Sequence, residues 1–263
     1  MVDLINVRNL LLGENYLGSA IPDVLGKLTN LEILELNNNH FSGNIPSTLG
    51  DLIHLRRLYL QGNQLSGPIP IQMLSLDLNP GESDFRWNAI FTQNMKLRIF
   101  LNDKQWGGDW ESTQTIAPLD ITTRQVSAGS IELNWAPVNY LVDAGYYEVF
   151  FSTQSGPPYN LFGQTETKTH TTVTVTGLLP NQQYFFVVHT FTLPHTNNLN
   201  VVRSEASTEL FTSTAMVPTL GSLGVFIILA VLSAVLWSGT RERVEISANP
   251  GGVNGGNSFS GRA

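Results

Sequence analysis

The chain has 263 residues, of which 42% are hydrophobic, so it can form one or two folded domains and is not disordered throughout. Its formal net charge of -7 and its 14 Lys and Arg residues argue against a nucleic-acid partner, because a phosphate-binding surface needs clustered cations. The absence of cysteine excludes disulfides, thiolate metal sites and a cysteine nucleophile, and it leaves the cellular compartment open.

A repeat of 24 residues fills the first third of the chain. The positions in register are Leu10, Leu34 and Leu58; Leu12, Leu36 and Leu60; Asn15, Asn39 and Asn63; Ile21, Ile45 and Ile69; and Pro22, Pro46 and Pro70. A period of this length predicts a solenoid whose coils bury their apolar faces against one another. Residues 31–54, LEILELNNNHFSGNIPSTLGDLIH, resemble the leucine-rich repeat family in its Ser-Gly-x-Ile-Pro variety. The resemblance covers residues 1–78 and implies coils of the α/β type.

Each L-x-x-L-x-L stretch predicts a short strand with its leucines in the core. The asparagine at the ninth place of each coil (Asn15, Asn39 and Asn63) is predicted to bond the turning backbone of neighbouring coils. The residues between the leucines are predicted to form a concave, ligand-binding surface, and they are Ile33, Glu35, Asn37, Asn38, Arg57, Tyr59 and Gln61. A merely solvated face is the alternative, because two or three coils make a small patch.

The start of the chain falls inside the repeat. Leu4 is in register with Leu28 and Leu52, and residues 1–8 lack the basic start and apolar run of a secretory signal. The first strand would then have no cap over its open edge, which is unfavourable in a solenoid. We therefore expect an N-terminally truncated chain, with further coils and a signal peptide upstream.

Residues 79–113 are expected to close the solenoid and to link it to the next domain. Apolar and polar residues are interspersed from Ala89 to Lys104, and this pattern predicts a helical cap over the last coil. The following turn contains Trp106 and Trp110. Packing of these two rings against the cap is favoured over stacking on a sugar. The acidic residues nearby lack the spacing of a calcium loop, so no metal site is predicted.

Residues 114–214 show short β-branched and aromatic runs, separated by turn residues every 8 to 12 positions, as in an all-β sandwich. The stretch Leu178 to Tyr184 reads L-x-P-x-x-x-Y, and Trp135 ends an alternating run. These features resemble the fibronectin type III family. The resemblance implies a seven-stranded spacer or adhesion module, in which the Tyr184 hydroxyl bonds the upstream backbone and Trp135 fills the core.

The segment 217–238 predicts a single transmembrane helix. Leu220 to Trp237 is an uncharged, apolar stretch of 18 residues, which at about 1.5 Å per residue spans most of a hydrocarbon core of about 30 Å. Arg241 and Arg243 follow at once, so the positive-inside rule predicts a cytoplasmic C-terminus with both domains outside. Residues 239–263, rich in Gly, Asn and Ser, are predicted to be a short flexible tail.

The start of this segment also contains a short sequence motif. Val217, Pro218, Thr219, Leu220 and Gly221, followed by the apolar stretch and the arginines, resemble the IPTL-CTERM and PEP-CTERM sorting signals of bacterial envelope proteins. The resemblance implies cleavage near the motif and release of the protein. Plain membrane anchoring is the alternative, because Glu242 interrupts the basic pair and about 20 residues trail after it.

No catalytic set is evident in the sequence. The five histidines fall in three different structural contexts, and no G-x-S-x-G, H-E-x-x-H or phosphate-binding glycine loop occurs. We therefore predict a non-enzymatic protein without a cofactor, located at the cell envelope or surface, that recognises a protein or polysaccharide ligand through its repeats. The alternative is an ectodomain fragment of a plant-like leucine-rich repeat signalling receptor, although such ectodomains generally close their solenoids with paired cysteines.

Overall fold

Two parallel sheets form opposite sides of the solenoid in the computed structural model, which describes residues 6–217. The strands are β1 (Asn9–Leu11), β2 (Gly18–Ala20), β3 (Ile33–Glu35), β4 (His40–Gly43), β5 (Arg57–Tyr59), β6 (Gln64–Pro68) and β7 (Ala89–Phe91). The first sheet has the order β1-β3-β5, and the second has the order β2-β4-β6-β7. The first sheet keeps the repeat in exact 24-residue register, since Leu10 pairs with Leu34 and Leu34 with Leu58.

The connections between the sheets correct the expected coil type. They are 3-10 helices at Asp23–Lys27, Ser47–Asp51 and Ile71–Ser75, rather than α-helices. Each follows a proline and is only five residues long, which suits the tighter helix. The coils also stack closely here, because a Cβ on Gly50 would lie 2.5 Å from the carbonyl oxygen of Gln72. The α/β description therefore does not apply to these coils.

Asparagine side chains connect successive coils. The Oδ1 atom of Asn39 accepts from the Leu17 amide at 2.9 Å, and its Nδ2 atom donates to the Leu12 carbonyl at 2.8 Å. Asn63 does the same one coil later, and both side chains are buried. Asn15 differs, because it is exposed and bonds carbonyls of its own coil. The leucines are likewise less buried in the first coil. Leu34 and Leu58 are fully buried, whereas Leu10 is half-buried.

The stacking continues through residues 79–113. Asn88 accepts from the Leu65 amide at 3.1 Å and donates to the Leu60 carbonyl at 3.0 Å, as Asn63 does in the preceding coil. Gln114 repeats this geometry with the Ile90 amide and the Phe85 carbonyl. The α-helix α1 (Met95–Lys104) places Leu97 and Leu101 in the same core. The predicted helical cap is thus a strand and a helix in one further coil.

A β-sandwich follows the solenoid. Its strands are β8 (Thr122–Val126), β9 (Ser130–Asn134), β10 (Gly145–Ser152), β11 (Asn160–Gln164), β12 (Thr172–Thr176), β13 (Gln183–Thr192), β14 (Val202–Arg203) and β15 (Leu210–Ser213). One sheet has the order β12-β9-β8, and the other has the order β11-β10-β13-β14, with β15 also paired to β13. The expected seventh strand is therefore split in two. Between its halves, the hydroxyls of Ser204 and Ser207 accept from amides of β13.

The sandwich core contains both aromatic residues that the sequence singled out. Trp135 is 3% exposed and meets Tyr147 edge to face, with 5.3 Å between ring centroids. The Tyr184 hydroxyl accepts a hydrogen bond from the Leu179 amide at 2.8 Å. This bond ties the start of β13 to the turn that precedes it.

Within residues 6–217, no helix is long and apolar enough to cross a membrane. The predicted span from Leu220 to Trp237, the sorting motif from Pro218 onward and the tail 239–263 lie outside the described residues. Val217 is the last described residue, and its side chain is exposed.

Candidate ligand-binding surface

The first sheet presents a row of side chains between its buried leucines. Ile33 and Glu35 on β3 pair in register with Arg57 and Tyr59 on β5. Arg57 is exposed, and the other three side chains are partly exposed. A bridge from Tyr59 to Asp84 adds the next coil to this face. Leu34 and Leu58 anchor the strands on the core side. The outward residues can therefore be substituted without disturbing the core.

Ion pairs cross from coil to coil on this face. Arg57 Nε lies 2.5 Å from Glu82 Oε2, and Arg8 pairs with Glu32 at the same distance. Hydrogen bonds from Asn79 and Arg57 lower the pKa of Glu82, and the bond to Glu82 raises the pKa of Arg57. Burial raises the pKa of Tyr59. The arginines Arg8 and Arg57 are therefore each paired with a glutamate of the next coil.

The other predicted residues lie just beyond the strands. Asn37 packs over Gly13 of the preceding coil, and Asn38 has a left-handed backbone with a φ of 51°. The Asn38 amide donates to the Gln61 carbonyl at 2.8 Å. The side-chain oxygen of Gln61 is buried and has no hydrogen-bond partner among residues 6–217. Asn38 and Gln61 thus border a different surface from the four strand residues.

An arginine flanked by two tryptophans lies next to Gln61. The guanidinium carbon of Arg86 lies 4.4 Å from the ring centroid of Trp87 and 5.5 Å from that of Trp106. Arg86 also donates hydrogen bonds from Nε and Nη2 to the buried carboxylate of Asp84. Trp106 is 59% exposed, whereas Trp110 is fully buried and bonds Asn102. Packing therefore accounts for Trp110, but it leaves much of Trp106 open to solvent.

A loop of the sandwich docks beside this cluster. Asn198, between β13 and β14, donates from Nδ2 to the carbonyls of Asn63 and Trp87, both at 2.8 Å. Asn200 donates to the Asn39 carbonyl at 2.7 Å and accepts from Gln64 Nε2 at 3.0 Å. Both loop asparagines are buried. The sandwich is thus bonded to main-chain carbonyls of the ladder asparagines, a contact that no sequence motif predicted.

A pocket of about 460 Å³ opens along the seam between the loop and the solenoid. We call it the seam pocket, and its principal lining residues are Tyr16, Asn38, Gln61, Trp87, Trp106 and Asn197. Two of these, Asn38 and Gln61, were among the predicted binding residues. Trp106 was expected to pack against the cap, and Tyr16, Trp87 and the loop were not predicted, because no sequence repeat connects them to the strand residues.

A buried polar cluster supports the loop from within the sandwich. Lys168 is 3% exposed, and its Nζ lies 4.6 Å from the ring centroid of Tyr140 and 3.3 Å from Thr192 Oγ1. Burial lowers the pKa of Lys168 to about 8 and also lowers the pKa of His195. His195 Nδ1 lies 3.3 Å from a carboxylate oxygen of Asp143. Burial therefore disfavours the protonated forms of Lys168 and His195 in the folded protein.

Replacing Lys168 with methionine should reduce the gain in stability between pH 7.5 and 9.5. The pKa of Lys168 in the folded protein is about 8, below its ordinary 10.5, so the unfolded chain binds more protons in this window. The contribution of Lys168 to the free energy of unfolding therefore increases with pH. The variant lacks this increase. Urea unfolding at the two pH values measures it, with the exposed Lys96→Met as control. An unchanged pH dependence in Lys168→Met would contradict the buried, destabilised ammonium.

Comparison with known families agrees with both folds. A family model described as a leucine rich repeat matches residues 5–65, and one described as a fibronectin type III domain matches residues 116–200. The chain contains leucine-rich repeats and a fibronectin type III domain. Domains of these two types are typically non-enzymatic binding modules. A search of curated proteins returned no significant match.

Solved structures resemble one domain or the other. A fibronectin type III domain from human KIAA0970 protein is 16% identical over 40% of this chain and 80% of its own, with a TM-score of 0.32. The leucine-rich repeat ectodomain of the Arabidopsis thaliana membrane receptor kinase GASSHO1/SCHENGEN3 is 39% identical, with a TM-score of 0.31. That match covers 33% of this chain and 10% of the receptor.

The BIR2 ectodomain from Arabidopsis thaliana is 34% identical, with a TM-score of 0.28. The match covers 30% of this chain and 42% of that ectodomain. The chain therefore spans less than half of either plant ectodomain that its leucine-rich repeats match.

Proposed function

We propose that the chain is a non-enzymatic recognition or adhesion protein of the cell surface, which binds a protein or polysaccharide through the concave face of its repeats. The observation that carries this proposal is the row of the exposed Arg57 and the partly exposed Glu35 and Tyr59 over leucines that are fully buried. Parallel strands and the asparagine ladder fix the backbone beneath this row. A ligand would therefore bind without having to order the surface first, which favours affinity.

Photo-crosslinking from the two faces of the solenoid tests the proposed binding face. A benzophenone amino acid is placed either at Tyr59 or at Gln72, which is exposed on a 3-10 helix outside the first sheet. Each full-length protein is incubated with intact cells and with extracellular polysaccharide of the source organism, and then irradiated. Discrete adducts from position 59 that are absent from position 72 are expected. Equal labelling from both positions, or labelling from 72 alone, would contradict the proposal.

A plant-like receptor ectodomain is the second candidate, and the Ser-Gly-x-Ile-Pro repeats favour it. It would use the same concave face, so the two candidates differ in what the chain is attached to. The adjoining coding sequence separates them. A kinase domain encoded downstream would support the receptor, whereas a bacterial signal peptide and further repeats upstream would support the adhesion protein.

We also propose that residues 217–238 attach the protein to a membrane, with both domains outside and the C-terminus in the cytoplasm. The uncharged stretch Leu220 to Trp237 and the arginines that follow it support this anchor. An anchored chain should remain in the membrane fraction after alkaline washing, and its release would contradict the anchor. If the sorting resemblance holds, mass spectrometry should find a mature C-terminus near Pro218 instead of Ala263.

A further inference from the structure

The seam pocket has walls from two domains. One wall is the end of the concave strands, with Asn38 and Gln61, and the other is the sandwich loop, with Asn197. Buried hydrogen bonds from Asn198 and Asn200 to the solenoid backbone hold the two walls together. The pocket is therefore built into the fold, and its volume of about 460 Å³ lies within the range of about 300–1,000 Å³ that ligand sites usually have.

The charges around the pocket do not favour an ionic ligand. The charge of Arg86 is already paired with the buried carboxylate of Asp84, to which its Nε and Nη2 donate hydrogen bonds, so it is less available to a ligand carboxylate or phosphate. Beside the Arg86–Asp84 pair, the described pocket lining contains the carboxylate of Glu14 at the exposed rim and the imidazole of His40. An anion would meet no unpaired positive charge here. The ligand that fits these walls carries little or no charge.

The polar groups suit hydroxyl groups. Side-chain amides of Asn38, Gln61 and Asn197 line the pocket, and each amide can both donate and accept hydrogen bonds. A hydroxyl group has the same double capacity. The buried oxygen of Gln61 has no hydrogen-bond partner in the described part of the chain, so a small rotation of this side chain would supply an acceptor to a bound hydroxyl.

The aromatic groups lie where the pocket opens to solvent. Tyr16 is 91% exposed and Trp106 is 59% exposed, although both rings are large and apolar. The Arg86 guanidinium lies near both tryptophan rings, 4.4 Å from the centroid of Trp87 and 5.5 Å from that of Trp106. An exposed aromatic ring beside amide groups is complementary to a molecule with apolar C–H faces and a polar rim. A sugar ring has this distribution of groups.

We propose that the seam pocket binds a short neutral oligosaccharide, whose rings pack on Trp106 and Tyr16 while its hydroxyls bond the amides. This inference rests on the proposed recognition function and deepens it, because it names a ligand class and a position outside the strand face. Both domains contribute to the site. The sandwich is therefore part of the binding machinery as well as a spacer.

Binding to a printed array of neutral and acidic oligosaccharides tests the proposal with the full-length chain. The neutral compound that gives the strongest signal is then titrated by calorimetry and by tryptophan fluorescence. Trp106→Ala should weaken binding by about tenfold or more, the loss typical of an aromatic contact residue. Asn197→Ala, at an exposed loop position, should also weaken binding. The control is Phe211→Ala, an aromatic residue 66% exposed on the sandwich, which should leave the affinity within about twofold.

Three outcomes would overturn the proposal. These are binding to acidic oligosaccharides alone, no binding to any neutral one, and neutral binding that survives both Trp106→Ala and Tyr16→Ala. None of them affects the crosslinking result at Tyr59, so the recognition function can stand while the oligosaccharide site fails. Conversely, neutral binding that depends on Trp106 supports the site even if crosslinking is equal at Tyr59 and Gln72.

Discussion

Trp135→Ala should lower the free energy of unfolding by about 3–5 kcal/mol, because it leaves a large cavity in a tightly packed core. The ring is 3% exposed and contacts Tyr147 between the two sheets. Urea unfolding of the full-length chain, followed by circular dichroism, measures the loss. Trp106→Ala makes the same substitution at an exposed position and is the matched control, with an expected change within about 0.5 kcal/mol. Equal losses in the two variants would contradict the packing described for Trp135.

Tyr184→Phe gives a graded comparison in the same core. The ring stays, and only the hydrogen bond from the Leu179 amide to the hydroxyl is lost. The expected cost is about 1 kcal/mol. A loss as large as that of Trp135→Ala would mean that the hydroxyl has further structural partners.

Asn63→Ala should cost about 2–3 kcal/mol, because the buried amide of Phe41 then has no acceptor. The Leu36 carbonyl keeps a second donor in Asn39, and the Leu60 carbonyl keeps one in Asn88. The penalty is therefore concentrated on one backbone amide. Hydrogen exchange should show it directly, as faster exchange at Phe41 and at neighbouring amides of β4, together with a lower midpoint in urea.

Asn15→Ala is the control that the repeat itself provides. Asn15 occupies the same place in its coil as Asn63, but it is exposed and bonds only the Leu12 and Gly13 carbonyls in the part of the chain that the structure describes. Its replacement should change stability by no more than about 0.5 kcal/mol. Similar losses at Asn15 and Asn63 would show that the ladder contributes little.

The 24-residue repeat predicted the first sheet of the solenoid but not the second. The leucine spacing gave the first sheet because buried apolar positions recur in strict register there. The second sheet was missed, since its strands β2, β4 and β6 read GSA, HFSG and QLSGP, and glycine, serine and proline are poor strand signals. Asn88 was missed for a related reason. It follows Asn63 by 25 residues, and Phe85 replaces the expected leucine, so a fixed offset of 24 passes over it.

The candidate pocket could not be predicted from the sequence. Its two walls are joined by hydrogen bonds from Asn198 to Asn63 and from Asn200 to Asn39, across 135 and 161 residues. A local motif carries no information about contacts at such separation. The residues of the loop, TNNLN, read only as a polar connection between two strands. Among the pocket-lining residues, the repeat pattern predicted only Asn38 and Gln61, because both follow the strands that it predicted.

The docked loop also changes how the protein would carry mechanical load. Tension between a ligand held by the repeats and a point of attachment beyond the sandwich would not travel along the main chain alone. The peptide connection at Gln114 and Thr115 is one path, and the side-chain bonds of Asn198 and Asn200 to the middle coils form a second. The bond between Thr115 and Thr192 couples the two paths at 2.7 Å. A pulling force would thus be distributed over several coils of the solenoid. No single coil would bear the whole force.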